Sequence, residues 1–274
     1  MINERIYLRE GDNTVHLTTY VNTDGKNGPC SAVIVLPGGA YSHLAAHEGE
    51  KIALSYLASG INAFVLHYSV VGNNPDMRYP MPLVDASNAI KHIKDNAEKY
   101  NINPDRIFIL GFSAGGHLAS MVGTLWHRSE IYENAEKMEF GYNKPCGMML
   151  CYPVISPEAI EHKDKTIQHL GTFKNLLGDG LSLEEYNYCN AAKHVDENTC
   201  PAFFWHTSED PSVPVENSFI MATALRKYEI PVEMHVYPRG THGLGLPDGT
   251  VKPKDEHICT WMPLSIEWIR SFDE

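Results

Sequence analysis

The order of apolar and polar positions predicts alternating strands and helices along most of this chain. Apolar runs typical of strands buried on both faces of a parallel sheet occur at 32–36, 61–71, 107–110, 148–152, 202–206 and 232–237. Apolar positions at helical spacing predict helices at 50–58, 82–99, 215–228 and 259–272. Residues 15–21 alternate as a half-exposed antiparallel strand does. The pattern predicts one α/β domain over residues 1–274, a doubly wound, mostly parallel sheet with helices on both faces.

Residues 153–201 have a different pattern. They show no strand periodicity and contain only two marginal helical pieces, at 165–177 and 183–194. We expect this segment to be a helical cap insertion that lies over the sheet edge and shapes a substrate pocket. Upstream of it, Asn103-Pro104-Asp105 is expected to turn the chain into the strand at 107–110.

Ser113 stands where that strand meets the following helix. It lies in Gly111-Phe112-Ser113-Ala114-Gly115, a G-x-S-x-G sequence, which in a strand–turn–helix context forms a nucleophile elbow. The bland interpretation of five such residues is a tight turn. A serine hydroxyl is a poor nucleophile, so the catalytic interpretation requires a histidine base, an acid that orients it and donors for an oxyanion.

Candidates for the base and the acid also follow predicted strands. His242 lies in a glycine-rich loop after the strand at 232–237, and Asp210 follows the strand at 202–206. Ligands of doubly wound sheets bind beyond the carboxyl ends of the strands, so these side chains are expected to converge on Ser113. Glu209 is the alternative acid. Asp210 is preferred because it precedes the stiff turn Pro211-Ser212-Val213-Pro214, which can hold a short carboxylate in place.

The oxyanion donors are predicted to be backbone N–H groups. Pro37-Gly38-Gly39-Ala40 follows the strand at 32–36, and its missing side chains allow a substrate carbonyl to approach. The N–H groups of Gly39, Ala40 and Ala114 are therefore expected to form the oxyanion hole. The alternative is an ordinary Gly-Gly turn.

Charge and composition exclude some classes of binding partner and cofactor. The formal net charge of -12 argues against a nucleic-acid or anionic-membrane surface, because both need a basic footprint. The N-terminus lacks the apolar core of a secretion signal, so a cytoplasmic location is expected. His43 and His47 stand four apart, but no third ligand is apparent, and the six cysteines form no C-x-x-C pair, so neither a metal nor a cofactor is predicted. A small-molecule ester fits better, and a homo-oligomer stays open.

The order of several motifs resembles that of the α/β-hydrolase esterases of the acetyl esterase and acetylxylan esterase type. These motifs are PGGAY with HEGE, GFSAGGHLA, HTSEDPSVPVENS and GTHGLGL. The resemblance covers about residues 31–245 and lies near the hormone-sensitive-lipase-like group, whose usual histidine is replaced here by Pro37. It implies the α/β-hydrolase fold with Ser113 as nucleophile, Asp210 as acid and His242 as base. It also implies an acylated sugar as substrate.

The leading hypothesis is a serine carboxylesterase that removes short acyl groups, chiefly acetyl, from sugars or xylo-oligosaccharides through an acyl-enzyme. An amide hydrolase, such as an arylformamidase or a small peptidase, could use the same triad on another leaving group. A non-catalytic hydrolase fold that binds a small ligand is the third hypothesis. The triad alone does not distinguish an ester from an amide substrate.

Overall fold

The computed structural model describes residues 1–9, 11–24, 28–158, 160–162, 165–167 and 169–272. Within these residues, eight strands form one sheet in the order β1-β2-β4-β3-β5-β6-β9-β10, and two short strands form a separate hairpin. The strands are β1 Arg5–Arg9, β2 Asp12–Tyr20, β3 Cys30–Leu36, β4 Asn62–His67, β5 Ile102–Phe112, β6 Gly147–Cys151, β7 Ile160–His162, β8 Lys165–Ile167, β9 Ala202–Thr207 and β10 Val232–Tyr237. Within the large sheet, β1 pairs antiparallel with β2 and β2 pairs antiparallel with β4. The other five pairings are parallel, so the sheet is mostly parallel, as predicted.

Helices connect the strands and cover the sheet. They are α1 Glu50–Ala58, α2 Met81–Asp95, α3 Ala97–Tyr100, α4 Ala114–Leu125, α5 Ser129–Asn134, α6 Leu170–Leu177, α7 Leu183–Tyr186, α8 Glu216–Lys227, α9 Glu256–Cys259 and α10 Trp261–Arg270. Short 3-10 turns occur at Ala46–Glu48, Asn187–Cys189 and Ala191–His194. In the described part of the chain no helix has the length and apolar character needed to cross a bilayer, and the cytoplasmic location stays a prediction.

Two apolar cores lie on opposite faces of the sheet. Successive side chains of a strand point to opposite faces, and β3 shows this directly: Ile34 belongs to one core, whereas Val33 and Val35 belong to the other. The first core also contains side chains of α2, α4 and α8. The second contains side chains of α1 and α10. Helices therefore cover both faces, and the predicted doubly wound α/β architecture is confirmed.

The predicted element boundaries differ from the observed ones at several places. Asn103-Pro104-Asp105 does not turn the chain into β5; it lies within β5, beside a register shift between Cys30 and Ala32 of β3. The predicted strand at 61–71 ends at His67, and the helices predicted at 82–99 and 259–272 are each divided into two. Sequence periodicity locates a helix or strand better than it locates the first and last residue. The ends of these elements are set by pairing and packing in the folded chain.

Residues 153–201 join β6 to β9, which are neighbours in the sheet. The segment contains α6 and α7, but also the hairpin of β7 and β8, so the expectation that it has no strand was wrong. The helix predicted at 165–177 begins only at Leu170. Residues 159, 163, 164 and 168 lie outside the described residues. The role of the segment as a cap stays a prediction.

Candidate active site

Ser113 occupies a strained turn between β5 and α4. Its φ of 53° lies in the left-handed region, which is uncommon for a residue with a side chain. The turn depends on close backbone packing: a Cβ on Gly115 would lie 2.2 Å from the carbonyl oxygen of Leu36 at the end of β3. Glycine at this position lets α4 start directly against β3. The result is a serine held at the carboxyl end of the sheet.

The structure brings Ser113, His242 and Asp210 together. His242 Nε2 lies 2.8 Å from Ser113 Oγ, and His242 Nδ1 lies 2.7 Å from Asp210 Oδ2. A carboxylate only accepts hydrogen bonds, so Nδ1 carries the proton and Nε2 is free to accept the serine hydroxyl. This arrangement can move a proton from Ser113 to His242 while the aspartate holds the ring in one tautomer.

Asp210 is fixed by the turn that follows it. Its Oδ1 accepts the N–H groups of Ser212 and Val213, both at 2.9 Å, and only 4% of the residue is exposed. Burial alone would raise the pKa of Asp210, but hydrogen bonds from His206, His242 and Val213 outweigh it and hold that pKa well below the usual 3.8. Glu209, the alternative acid, is exposed to solvent. The geometry therefore favours Asp210.

The predicted oxyanion loop is oriented through its carbonyl groups. Gly38 C=O accepts the N–H of Ala45 at 2.9 Å, and Gly39 C=O accepts those of Ser42 and His43. In a trans peptide the C=O and the following N–H point in opposite directions, so the N–H groups of Gly39 and Ala40 are turned away from these partners. Neither N–H, nor that of Ala114, makes a hydrogen bond within the described residues.

These groups surround a cavity of about 340 Å³. Gly39, Ala40, Ser113 and His242 line it together with Ser212 and Val213, and two further regions complete the lining. One is the segment 43–48 after the oxyanion loop; the other is the segment 153–201, through Val154, His169 and Thr172. A larger cavity of about 580 Å³ lies near Arg9 and Tyr79, but it contains none of the predicted site residues.

Two buried side chains beside the cavity were missed as functional candidates. Glu48 is 2% exposed, and its Oε1 accepts the hydroxyl proton of Tyr152 at 2.6 Å. The two residues are 104 positions apart, so no local pattern links them. Glu48 does lie within the HEGE motif, and its place in that motif was the available signal.

A buried histidine, His117, connects the oxyanion loop to the segment 153–201. Its Nε2 donates to the carbonyl of Cys189 at 2.7 Å, so its Nδ1 accepts the hydroxyl of Tyr41 at 2.8 Å. Burial lowers the pKa of His117 to about 4. The imidazole is thus neutral, with its proton on Nε2, and it joins three parts of the fold.

Comparison with known proteins yields consistent relatives. The family model described as BD-FAE matches residues 17–225. Endo-1,4-beta-xylanase B of Butyrivibrio fibrisolvens is 38% identical over 90% of this chain and 36% of its own length. The acetylxylan esterase of Xylanibacter ruminicola is 33% identical over 78% of this chain and 41% of its own. This chain therefore spans less than half the length of these two relatives.

A solved structure matches over nearly the full length of both chains. It is the acetyl ester-xyloside bifunctional hydrolase from Caldicellulosiruptor lactoaceticus, with 36% identity and a TM-score of 0.81. The superposition covers 99% of this chain and 97% of that one. The similarity thus includes the strands, the oxyanion loop and the segment 153–201 together.

Proposed function

This chain belongs to the BD-FAE family of α/β-hydrolases, and on that premise we propose that it is a serine carboxylesterase removing short acyl groups, chiefly acetyl, from xylo-sugars. The observation that carries the proposal is the hydrogen-bonded chain from Ser113 through His242 to Asp210 at the wall of a 340 Å³ cavity. The acetylxylan esterase and the acetyl ester-xyloside hydrolase named above support the choice of substrate. In this proposal the substrate is a small acylated carbohydrate.

In the proposed mechanism, Ser113 Oγ attacks the ester carbonyl while its proton passes to His242 Nε2. The N–H groups of Gly39, Ala40 and Ala114 stabilise the oxyanion, and each such donor is worth roughly 10²- to 10³-fold in rate. Collapse of the tetrahedral intermediate releases the sugar hydroxyl, which takes the proton from His242. Water then attacks the acyl-enzyme with His242 as base, which frees acetate and restores Ser113. Asp210 stays ionised throughout and stabilises the imidazolium.

The decisive experiment measures acetate release from acetylated xylo-oligosaccharides by the wild type and by Ser113→Ala, with an activated aryl acetate as second substrate. We expect the wild type to cleave both esters and the variant to lose at least about 10³-fold on each. Cleavage of the aryl acetate alone would discard the sugar substrate and keep the triad. If neither ester is cleaved but an aryl formamide is, the amide hydrolase is the correct alternative.

A further inference from the structure

Glu48 is a buried carboxylate placed between the two loops of the proposed site. Its Oε2 accepts the N–H of Gly38, the first glycine of the oxyanion loop, at 2.7 Å. Its Oε1 accepts the hydroxyl of Tyr152 at 2.6 Å. A buried carboxylate is costly unless its oxygens are hydrogen-bonded, and both oxygens of Glu48 are. Each carboxylate oxygen therefore has one defined partner.

Tyr152 extends this contact to the histidine loop. The Tyr152 oxygen accepts the N–H of Gly245, three residues after His242, at 2.8 Å. The aromatic ring packs edge-on against His242, with ring centroids 5.1 Å apart. Burial, together with the nearby Glu48, raises the pKa of Tyr152 well above its usual 10, so the hydroxyl keeps the proton that it donates.

The turn at Ala46–Glu48 reaches the histidine loop a second time. His47 Nε2 donates to the carbonyl oxygen of Gly243 at 2.9 Å. Two residues that follow His242 are thus held by one turn: Gly243 through His47, and Gly245 through Tyr152 and Glu48. The same turn holds Gly38, whose carbonyl is fixed by Ala45.

We propose that Glu48 and Tyr152 are positioning residues, which hold the oxyanion loop and the histidine loop at one fixed separation. This role rests on the proposed esterase function. Glu48 also borders the cavity, but this role requires contact with the two loops and not with the substrate. Their contribution is to keep the N–H groups of Gly39 and Ala40 and the imidazole of His242 aligned on the same carbonyl, and a displacement of about 1 Å in such a geometry costs roughly 10²-fold in rate.

The test compares Glu48→Gln and Tyr152→Phe with Tyr56→Phe as a matched control. Tyr56 is also fully buried, and its hydroxyl is hydrogen-bonded to Ser265 Oγ at 2.7 Å and to Met149 Sδ at 3.6 Å, but none of these residues lines the cavity. With an aryl acetate, we expect kcat to fall about 10- to 100-fold in the first two variants while KM changes less than about threefold. Tyr56→Phe should lose thermal stability and keep its kcat.

A double variant provides an independent readout. If both residues act through one contact, Glu48→Gln combined with Tyr152→Phe should lose little more kcat than the more damaged single variant, because the effects are not additive. Additive losses, or losses in KM alone, would overturn the proposal. If Glu48→Gln does not fold, Tyr152→Phe against Tyr56→Phe decides the question.

The reaction of Ser113 with a fluorophosphonate separates this proposal from the proposed function. A wild type that neither cleaves the aryl acetate nor reacts with the probe would overturn the esterase function itself. An active wild type whose Glu48 and Tyr152 variants react as fast as Tyr56→Phe would overturn only the positioning role. Slower labelling of the folded variants supports it.

Discussion

The cavity at Ser113 has two sides that are built differently. On the side of the strand ends, the acid and the oxyanion loop are held by hydrogen bonds: Asp210 binds two backbone N–H groups and His242, and the oxyanion loop is held through Gly38. On the side of the segment 153–201, Val154, His169 and Thr172 form a wall. His169 Nε2 is buried there and makes no hydrogen bond within the described residues.

This difference separates two tasks. Chemistry that must move a proton and stabilise charge relies on groups fixed by several bonds to the sheet ends, since preorganisation supplies most of the rate. We expect the wall, with its unpaired polar atom, to contribute to the choice of substrate instead, because an unsatisfied buried group favours the ligand that supplies its partner. We therefore expect substitutions at the strand ends to abolish activity, and substitutions in the segment 153–201 to change the substrate preference.

The largest effect is expected at the strand-end side, from Asp210→Asn. Asparagine can donate an amide N–H to Nδ1, which favours the other tautomer of His242. We therefore expect kcat to fall by about 10⁴-fold on both the sugar ester and the aryl acetate. Steady-state kinetics on the two esters checks this. Glu209→Gln, one residue away and exposed, is the control and should keep wild-type rates. Equal losses in both variants would contradict the assignment of the acid.

A smaller effect, on stability, is expected from His117, which joins the two sides. Its pKa is lowered to about 4 in the folded chain and is near 6.5 when unfolded, so the unfolded state binds more protons between these values. Stability should thus be highest above pH 6.5 and fall as the pH drops towards 4, by on the order of 1–3 kcal/mol from this group.

Chemical denaturation of the wild type and of His117→Gln between pH 7 and pH 5 measures this contribution. His67 and His169 also have pKa values lowered to about 4 by burial, and they give both proteins a slope of the same sign. The difference in unfolding free energy between wild type and variant should shrink as the pH falls. A difference that is constant with pH would show that His117 does not titrate with unfolding.

The smallest and most selective effect is expected from the wall, at His169. Replacement with alanine removes the unpaired nitrogen, so kcat/KM for the acetylated xylo-oligosaccharide should fall about tenfold, while that for the aryl acetate changes less than about twofold. The ratio of the two values is the measurement, and His257→Ala, an exposed histidine outside the cavity lining, is its control. A parallel loss on both esters would place His169 with the catalytic groups.

How much the sequence predicted also differs between the two sides. Ser113, Asp210, His242 and the oxyanion loop each follow an apolar run within a few residues, and the rule that ligands bind at strand ends was enough to place them together. For the wall, the sequence indicated the segment 153–201 but not which of its residues line the cavity. Neither Thr172 nor His169 follows a strand of the large sheet, and their place at the cavity depends on how residues 153–201 cross from β6 to β9.

Contacts between residues far apart in the sequence could not be predicted either. Tyr41 and His117 are 76 positions apart and Glu48 and Tyr152 are 104 apart, so only the folded sheet brings them together. Asn103-Pro104-Asp105 shows that a local pattern can also predict the wrong structure. Its residues are typical of a turn, yet pairing of Cys30 with Ile102 keeps them within β5.

The order of the strands places His242 after an edge strand and Ser113 after a central one. Within the described sheet, β10 is a terminal strand that pairs only with β9, and most of its residues are partly accessible, whereas Ser113 follows β5, which has neighbours on both sides. Edge strands open at a lower free energy than central ones. We therefore expect local fraying at β10 to separate His242 from a Ser113 that is still in place, so that activity is lost at a lower temperature than the fold.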